Sequence, residues 1–76
     1  MKHKLLKTIG DYEIGKLYYN GGTGKYFYLV ERKRLGPKTI QIGFVVTNSS
    51  ENQKYKYRFF ESKIDTKIEN IYEILD

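Results

Sequence analysis

The stretch TIQIGFVVT, residues Thr39–Thr47, decides the fold that this sequence predicts. Its apolar residues recur at every second position and therefore share one side of an extended chain: Ile40, Ile42, Phe44 and Val46. The flanking residues 35–38 and 48–53 are rich in turn formers such as Gly, Pro, Asn and Ser. A period of two between chain breakers is typical of a half-buried strand, so we expect this strand near the middle of a sheet.

Three further strands are predicted around this stretch. Residues 12–19 predict the first strand, although Gly15 within it weakens a strand or marks a bulge. Residues 25–34 predict the second strand, and the sequence NGGTG between the two supplies the Asn and Gly that tight reversals need. Residues 54–61 alternate cleanly and predict a fourth. Because short connections favour antiparallel pairing, the four strands indicate a meander.

The final segment changes its apolar period. Its apolar residues recur at steps of four, three and four, as on one side of a helix: Ile64, Ile68, Ile71 and Leu75. A helix this short is marginal alone, so we expect it to pack on the sheet. We therefore predict an α+β fold, a four-stranded antiparallel meander (residues 12–61) covered on one face by a C-terminal helix (residues 64–75). Residues 1–10 are expected to form an N-terminal arm or a short helix.

The composition predicts a single small domain over residues 1–76. A chain of this length buries only about 60% of the surface that its unfolded form exposes. Disulfides or structural metals often stabilise such domains, but this chain has no Cys and a single His. Eight Tyr and four Phe must therefore supply much of the core. We expect no metal and no cofactor.

Two features of the sequence bear on location. No run of residues approaches the roughly 20 apolar residues of a membrane span, so we expect no membrane partner. The lack of Cys is compatible with a reducing compartment. A soluble, cytoplasmic protein is the resulting expectation.

The sequence offers little for catalysis. GGTGK at residues 21–25 shares part of the phosphate-binding P-loop pattern, but Tyr19 and Tyr26 occupy two positions that the pattern reserves for Gly and Ser or Thr. A predicted strand follows, so the helix N-terminus that would bind phosphate is missing. There is no Cys nucleophile, and the Ser residues cluster in predicted loops without an identifiable base. We predict that the protein is not an enzyme.

Charge and aromatic residues carry the functional prediction. The net charge of +5 is uneven, since residues 1–38 carry +6 and residues 39–76 carry −1. A core face is predicted to contain Phe27, Leu29, Ile40, Ile42, Phe44, Val46, Tyr55, Tyr57 and Phe59. The opposite face and its edge would then display a candidate binding site: Tyr26, Tyr28, Arg32, Lys33, Arg34, Lys54, Lys56 and Arg58.

Two functions fit this face. A protein-directed binder or inhibitor of phage or mobile-element type would use this face, or an exposed edge of the sheet, to engage a larger complex, such as one that handles nucleic acid. A nucleic-acid-binding protein would instead stack bases of DNA or RNA on the Tyr rings and neutralise phosphates with the cations. The ordinary alternative is that Lys and Arg only protect an exposed sheet from aggregation. A monomer and an edge-paired homodimer both fit the sequence.

Overall fold

Six antiparallel strands form one sheet in the computed structural model, which describes residues 2–47 and 56–75. The strands are β1 (Lys2–Leu5), β2 (Leu17–Asn20), β3 (Lys25–Arg34), β4 (Thr39–Thr47), β5 (Lys56–Lys63) and β6 (Ile71–Leu75). Their order across the sheet is β1-β6-β2-β3-β4-β5. A short 3₁₀ turn at Ile9–Asp11 is the one helical element in the described residues. None of their helices is long and apolar enough to cross a membrane.

The predicted C-terminal helix is wrong, because its second half is strand β6. This strand lies between β1 and β2 and pairs with both. Ile71 and Glu73 are buried on one face, whereas Tyr72 and Ile74 alternate with them. Because the buried residue Glu73 is charged, the apolar residues of this segment do not alternate with a period of two in the sequence. The remaining apolar residues then match a helical spacing. The α+β class is therefore replaced by a nearly all-β sheet.

The predictions for the N-terminal half are partly wrong. Residues 1–10 were expected to be an arm or a short helix, but Lys2–Leu5 is strand β1, paired with β6. The predicted first strand is too long, since β2 begins at Leu17. Gly15 has a φ of 84° and donates its N–H to the Leu29 carbonyl at 2.8 Å, which interrupts the extended chain. The hairpin between β2 and β3 is confirmed.

The bounds of β3 and β4 agree with the prediction, but the position of β4 does not. Strand β4 pairs with β3 and with the edge strand β5, so it lies beside an edge of the sheet and not near its middle. The sheet extends instead on the β2 side, where β6 and β1 are added. Because β1 and β6 were not predicted as strands, the centre of the sheet lies between β2 and β3 and not at β4.

One face of the sheet, the inner face, contains the core. Nine apolar residues are buried there: Leu6, Ile9, Tyr12, Tyr18, Phe27, Leu29, Ile40, Ile42 and Ile71. A series of ring contacts crosses it, in which neighbouring centroids are 4.9 to 5.8 Å apart: Tyr12 to Tyr18, Tyr18 to Phe27, Phe27 to Phe44 and Phe44 to Phe60. Contacts of this kind stabilise a core beyond the burial of area alone. The packed rings thus stabilise the core of a chain that has no Cys to form disulfides.

Two short segments close the sheet over this core. Residues 7–10, which follow β1, pair antiparallel with residues 64–68, which follow β5. Three backbone N–H···O bonds of 2.9 to 3.0 Å join them: Ile9 to Thr66, Gly10 to Ile64 and Ile68 to Lys7. We call this pair of segments the closing clasp. Because β1 and β5 are the two edges of the sheet, the clasp brings the ends of opposite edges together.

Tyr18 is the most completely buried aromatic residue in the core. Its hydroxyl oxygen accepts the Glu13 N–H at 2.7 Å, and its side chain is shielded entirely from solvent. Burial raises the pKa of Tyr18 to about 12, opposed in part by the Glu13 hydrogen bond. Burial also raises the pKa of Tyr12, whose ring meets Tyr18 edge to face. Both phenols are therefore held neutral in the folded chain.

The clasp predicts a steric effect at Gly10. A Cβ atom there would lie 2.8 Å from Ile64 Cγ1 and 3.0 Å from the Ile64 carbonyl oxygen. We expect Gly10→Ala to lower the free energy of unfolding by about 1–3 kcal/mol in urea denaturation, because the two segments must separate. Gly36→Ala is the control, since a Cβ there meets nothing within 4 Å. Equal effects of the two substitutions would contradict the clasp.

The buried phenols predict a loss of stability at high pH. An unfolded Tyr ionises near pH 10, whereas folded Tyr18 keeps its proton to about pH 12. Between these values the unfolded state loses the proton first, so the free energy of unfolding falls as pH rises, by up to about 3 kcal/mol. Tyr18→Phe should cost about 1 kcal/mol at pH 7 and flatten this decline, as measured by urea denaturation from pH 9 to 12. An unchanged slope would refute the assignment.

Candidate functional site

The predicted site residues do not come together on one face. Tyr26, Tyr28 and Lys33 occupy the face opposite the core, which we call the outer face. Arg32, Arg34 and Arg58 are paired in register with the inner-face residues Ile42, Ile40 and Phe44. Lys54 lies outside the described residues, and Lys56 begins β5 but its side chain lies outside the description. The structure thus separates the Tyr rings from most of the cations.

A bulge in β3 explains the position of Arg32 and Arg34. Leu29 is paired with Phe44 and Glu31 with the next residue of β4, Gly43, which leaves Val30 as an extra residue. One extra residue inverts the alternation of everything that follows. Arg32 then donates to the Gly10 carbonyl in the clasp at 3.2 Å. A strictly alternating strand would have kept both arginines beside the Tyr rings.

The two faces of β5 are the reverse of the prediction. Tyr57 and Phe59 were expected in the core, but each is 53% exposed, and Phe60 packs against the core instead. Tyr55, the third residue of that expected set, lies outside the described residues. Adjacent Phe residues make the alternation ambiguous, because either ring can be the buried one. The structure resolves this with Phe60 opposite Ile42 and Phe59 opposite Gly43.

The outer face carries a continuous aromatic surface. Opposed residues line up in two rows, one across β2 to β5 with Leu17, Tyr28, Val45 and Tyr57 and the other across β2 and β3 with Tyr19 and Tyr26. Ring centroids are 4.8 Å apart in the Tyr19–Tyr26 pair and 4.6 Å apart in the Tyr57–Phe59 pair. We call this set the outer aromatic face: Tyr19, Tyr26, Tyr28, Val45, Tyr57 and Phe59. The sequence missed its extent, because Tyr57 and Phe59 were expected to be buried.

Charges on the outer face are few and balanced. In the described strands they lie at the end of β3, β4 and β5 away from the Tyr residues, where two Lys and two Glu occur: Glu31, Lys33, Glu61 and Lys63. The Glu31 carboxylate accepts a hydrogen bond of 3.0 Å from the Gln41 amide. No cation is therefore interleaved with the rings in the part of the outer face that the structure describes.

The exposed ring of Phe59 also contacts the backbone of β4 at Gly43. Its directly opposed residue is Gly43, and a Cβ atom on Gly43 would lie 2.8 Å from Phe59 Cε1. The ring therefore covers the backbone that glycine leaves bare, an arrangement that pins strand register and stabilises a glycine within a strand. Tyr57 is equally exposed but faces Val45.

Comparison of this chain with protein-family models, with curated proteins and with solved structures gives no match. Within the described residues, no group of three or more His, Cys, Asp or Glu side chains is arranged to hold a metal ion.

The glycine contact makes Phe59 and Tyr57 a matched pair for a stability measurement. Phe59→Ala should lower the free energy of unfolding by about 0.5–1 kcal/mol more than Tyr57→Ala, because it alone uncovers the Gly43 backbone. Both variants lose a ring of the same exposure from the same strand. Urea denaturation measures the difference, and equal losses would show that the ring does not stabilise Gly43.

Proposed function

We propose that this chain is a non-enzymatic binding protein that engages another protein through the outer aromatic face. One observation carries the proposal. Four aromatic side chains on this face, two on β3 and two on β5, are 39 to 53% exposed: Tyr26, Tyr28, Tyr57 and Phe59. Val45 of β4 lies between Tyr28 and Tyr57. The largest contiguous apolar patch on the surface of a protein is often an interaction site.

The distribution of charge favours a protein partner over a nucleic acid at this face. A nucleic acid bound on a sheet needs cations beside the stacking rings, to neutralise phosphates. Arg32 and Arg34 are instead paired with inner-face residues and bond the backbone. The centres of protein interfaces are enriched in Tyr and Phe and depleted of charge, as this face is.

The size of the face sets what it can contribute. A fully exposed aromatic side chain offers about 150–250 Å², so four rings at about half exposure supply roughly 300–500 Å². A standard interface buries about 800 Å² on each partner. The rings therefore provide the apolar centre of an interface, and polar neighbours such as Gln41 and Lys33 would form its rim. The charge balance fits an apolar partner surface with little net charge.

The wider proposal is that the chain covers a surface of a larger complex, as an inhibitor of phage or mobile-element type does, inside the cell. Its support is the small size, the lack of Cys and the basic composition. Direct binding of DNA or RNA by Tyr26, Tyr28 and Lys33 is the second candidate, and the same experiment tests it.

Site-specific photo-cross-linking in cells of the source organism tests the proposal. A benzophenone amino acid at position 57 should yield one discrete protein adduct, because Tyr57 is an exposed member of the outer aromatic face on the edge strand β5. Tyr28→Ser in the same chain should weaken binding of that partner about 30-fold, the effect of losing a ring that contributes about 2 kcal/mol. Phe59 is left intact because of its contact with Gly43.

The matched control places the cross-linker at Lys67 in the clasp, which is exposed and lies in none of the strands that carry the outer aromatic face. Adducts with nucleic acid from position 57 would favour the second candidate. The same adducts from positions 57 and 67, or adducts insensitive to Tyr28→Ser, would refute the outer face as the binding surface.

A further inference from the structure

A cavity of about 350 Å³ opens on the inner face, where β2, β3, β4 and β5 meet near the β2–β3 turn. Its floor is aromatic, made by Phe27, Phe44 and Phe60. Phe27 is buried, while Phe44 and Phe60 are only partly covered by the core. We call this cavity the inner cleft. It is separate from the outer aromatic face, because its residues alternate with those of that face along the same strands.

The rim of the inner cleft is cationic. Lys25 and Arg58 lie on it, and the side chains that line it in the described part of the chain include no carboxylate. Both cations are exposed, and neither side chain has a hydrogen bond or an ion pair with a described residue. Two cations that have no described residue as a side-chain partner, beside an apolar floor, favour a ligand that brings its own negative charge.

Asn20 adds a directed polar group to the rim. Its side-chain oxygen accepts the Gly22 N–H at 2.8 Å in the β2–β3 turn. That bond fixes the orientation of the amide, so its nitrogen can donate to a ligand. Apolar walls with a few convergent polar groups are the usual composition of a small-molecule site.

We propose that the inner cleft binds a flat aromatic anion, the chemistry that a nucleotide and an aromatic carboxylate share. The ring lies on the Phe floor, and the anionic group meets Lys25 and Arg58. A cavity of this volume is at the small end of the range for ligand sites, about 300–1,000 Å³, so it accepts one ring system and not an extended chain. Arg58, expected on the outer face from the sequence, receives this role because the alternation of β5 is inverted.

Amide chemical-shift titration of the isotope-labelled full chain tests this inference. The probes are 2-naphthoate, adenosine 5′-monophosphate, the neutral 2-naphthalenemethanol and inorganic phosphate. The aromatic anions should shift amides around Asn20, Phe44 and Arg58, and at least one should bind about tenfold more tightly than the neutral alcohol or phosphate. The tighter of the two anions identifies the source of the ligand.

Arg58→Gln should weaken binding of the aromatic anion about fivefold, the value of one exposed charge pair. Lys25→Gln should act similarly and serves if the first variant is unstable. Lys33→Gln is the matched control, because it removes the same charge from the outer face and should leave the affinity unchanged. Equal affinity for the neutral alcohol, equal effects of Arg58→Gln and Lys33→Gln, or shifts confined to Tyr28 and Tyr57 would overturn the inference. The first two of these outcomes do not bear on the outer aromatic face, whereas shifts confined to Tyr28 and Tyr57 would place the bound anion on that face.

Discussion

The described residues form a single sheet with no second layer on it, so the sheet must cover its own apolar face. The rest of the structure depends on this constraint. The described residues contain no α-helix to pack on the core. The inner face is instead closed by backbone hydrogen bonds between residues 7–10 and 64–68, which connect opposite edges. The clasp also contributes to the core, because Ile9 is buried in the core and Ile64 and Ile68 pack against it. The close approach of Gly10 to Ile64 is the local requirement of this closure.

The bulge in β3 and the alternation of β5 place aromatic and cationic side chains on different faces of the sheet. The bulge at Val30 moves Arg32 and Arg34 away from Tyr26 and Tyr28, and Arg32 then bonds the clasp. On β5, burial of Phe60 turns Tyr57 and Phe59 outward. The outer face is consequently aromatic with balanced charge, while cations border the inner cleft. A chain whose composition mixes Tyr with Lys and Arg thus presents them on different sides, which allows two binding sites of different chemistry.

The sequence pattern predicted correctly those elements that local interactions determine. The β-branched alternation of residues 39–47 and the Asn-Gly-rich turn at residues 20–24 specify strands and a hairpin without tertiary help, and both are correct. The helix prediction for the C-terminal segment failed because buried Glu73 interrupts the apolar alternation of β6. The position of β6 also depends on pairing with β1, which is at the other end of the sequence.

The candidate site was harder to predict than the strands. A bulge changes the face of every later residue, and nothing local in the β3 sequence marks Val30 as the extra residue. The exposure of Tyr26 and Tyr28 was nevertheless anticipated and agrees with the structure. With two adjacent Phe residues in β5, the sequence alone does not show which ring points inward. The packing of the assembled sheet determines it.

Paramagnetic relaxation of ring protons by a soluble nitroxide is the measurement that tests the separation of the two faces most directly. Relaxation should be strong for Tyr26, Tyr28, Tyr57 and Phe59 and weak for Tyr12, Tyr18 and Phe27. Protection of the Tyr57 and Phe59 rings together with strong relaxation of Phe60 would show that β5 has the opposite alternation. The outer aromatic face and the cationic rim at Arg58 would then both be wrong.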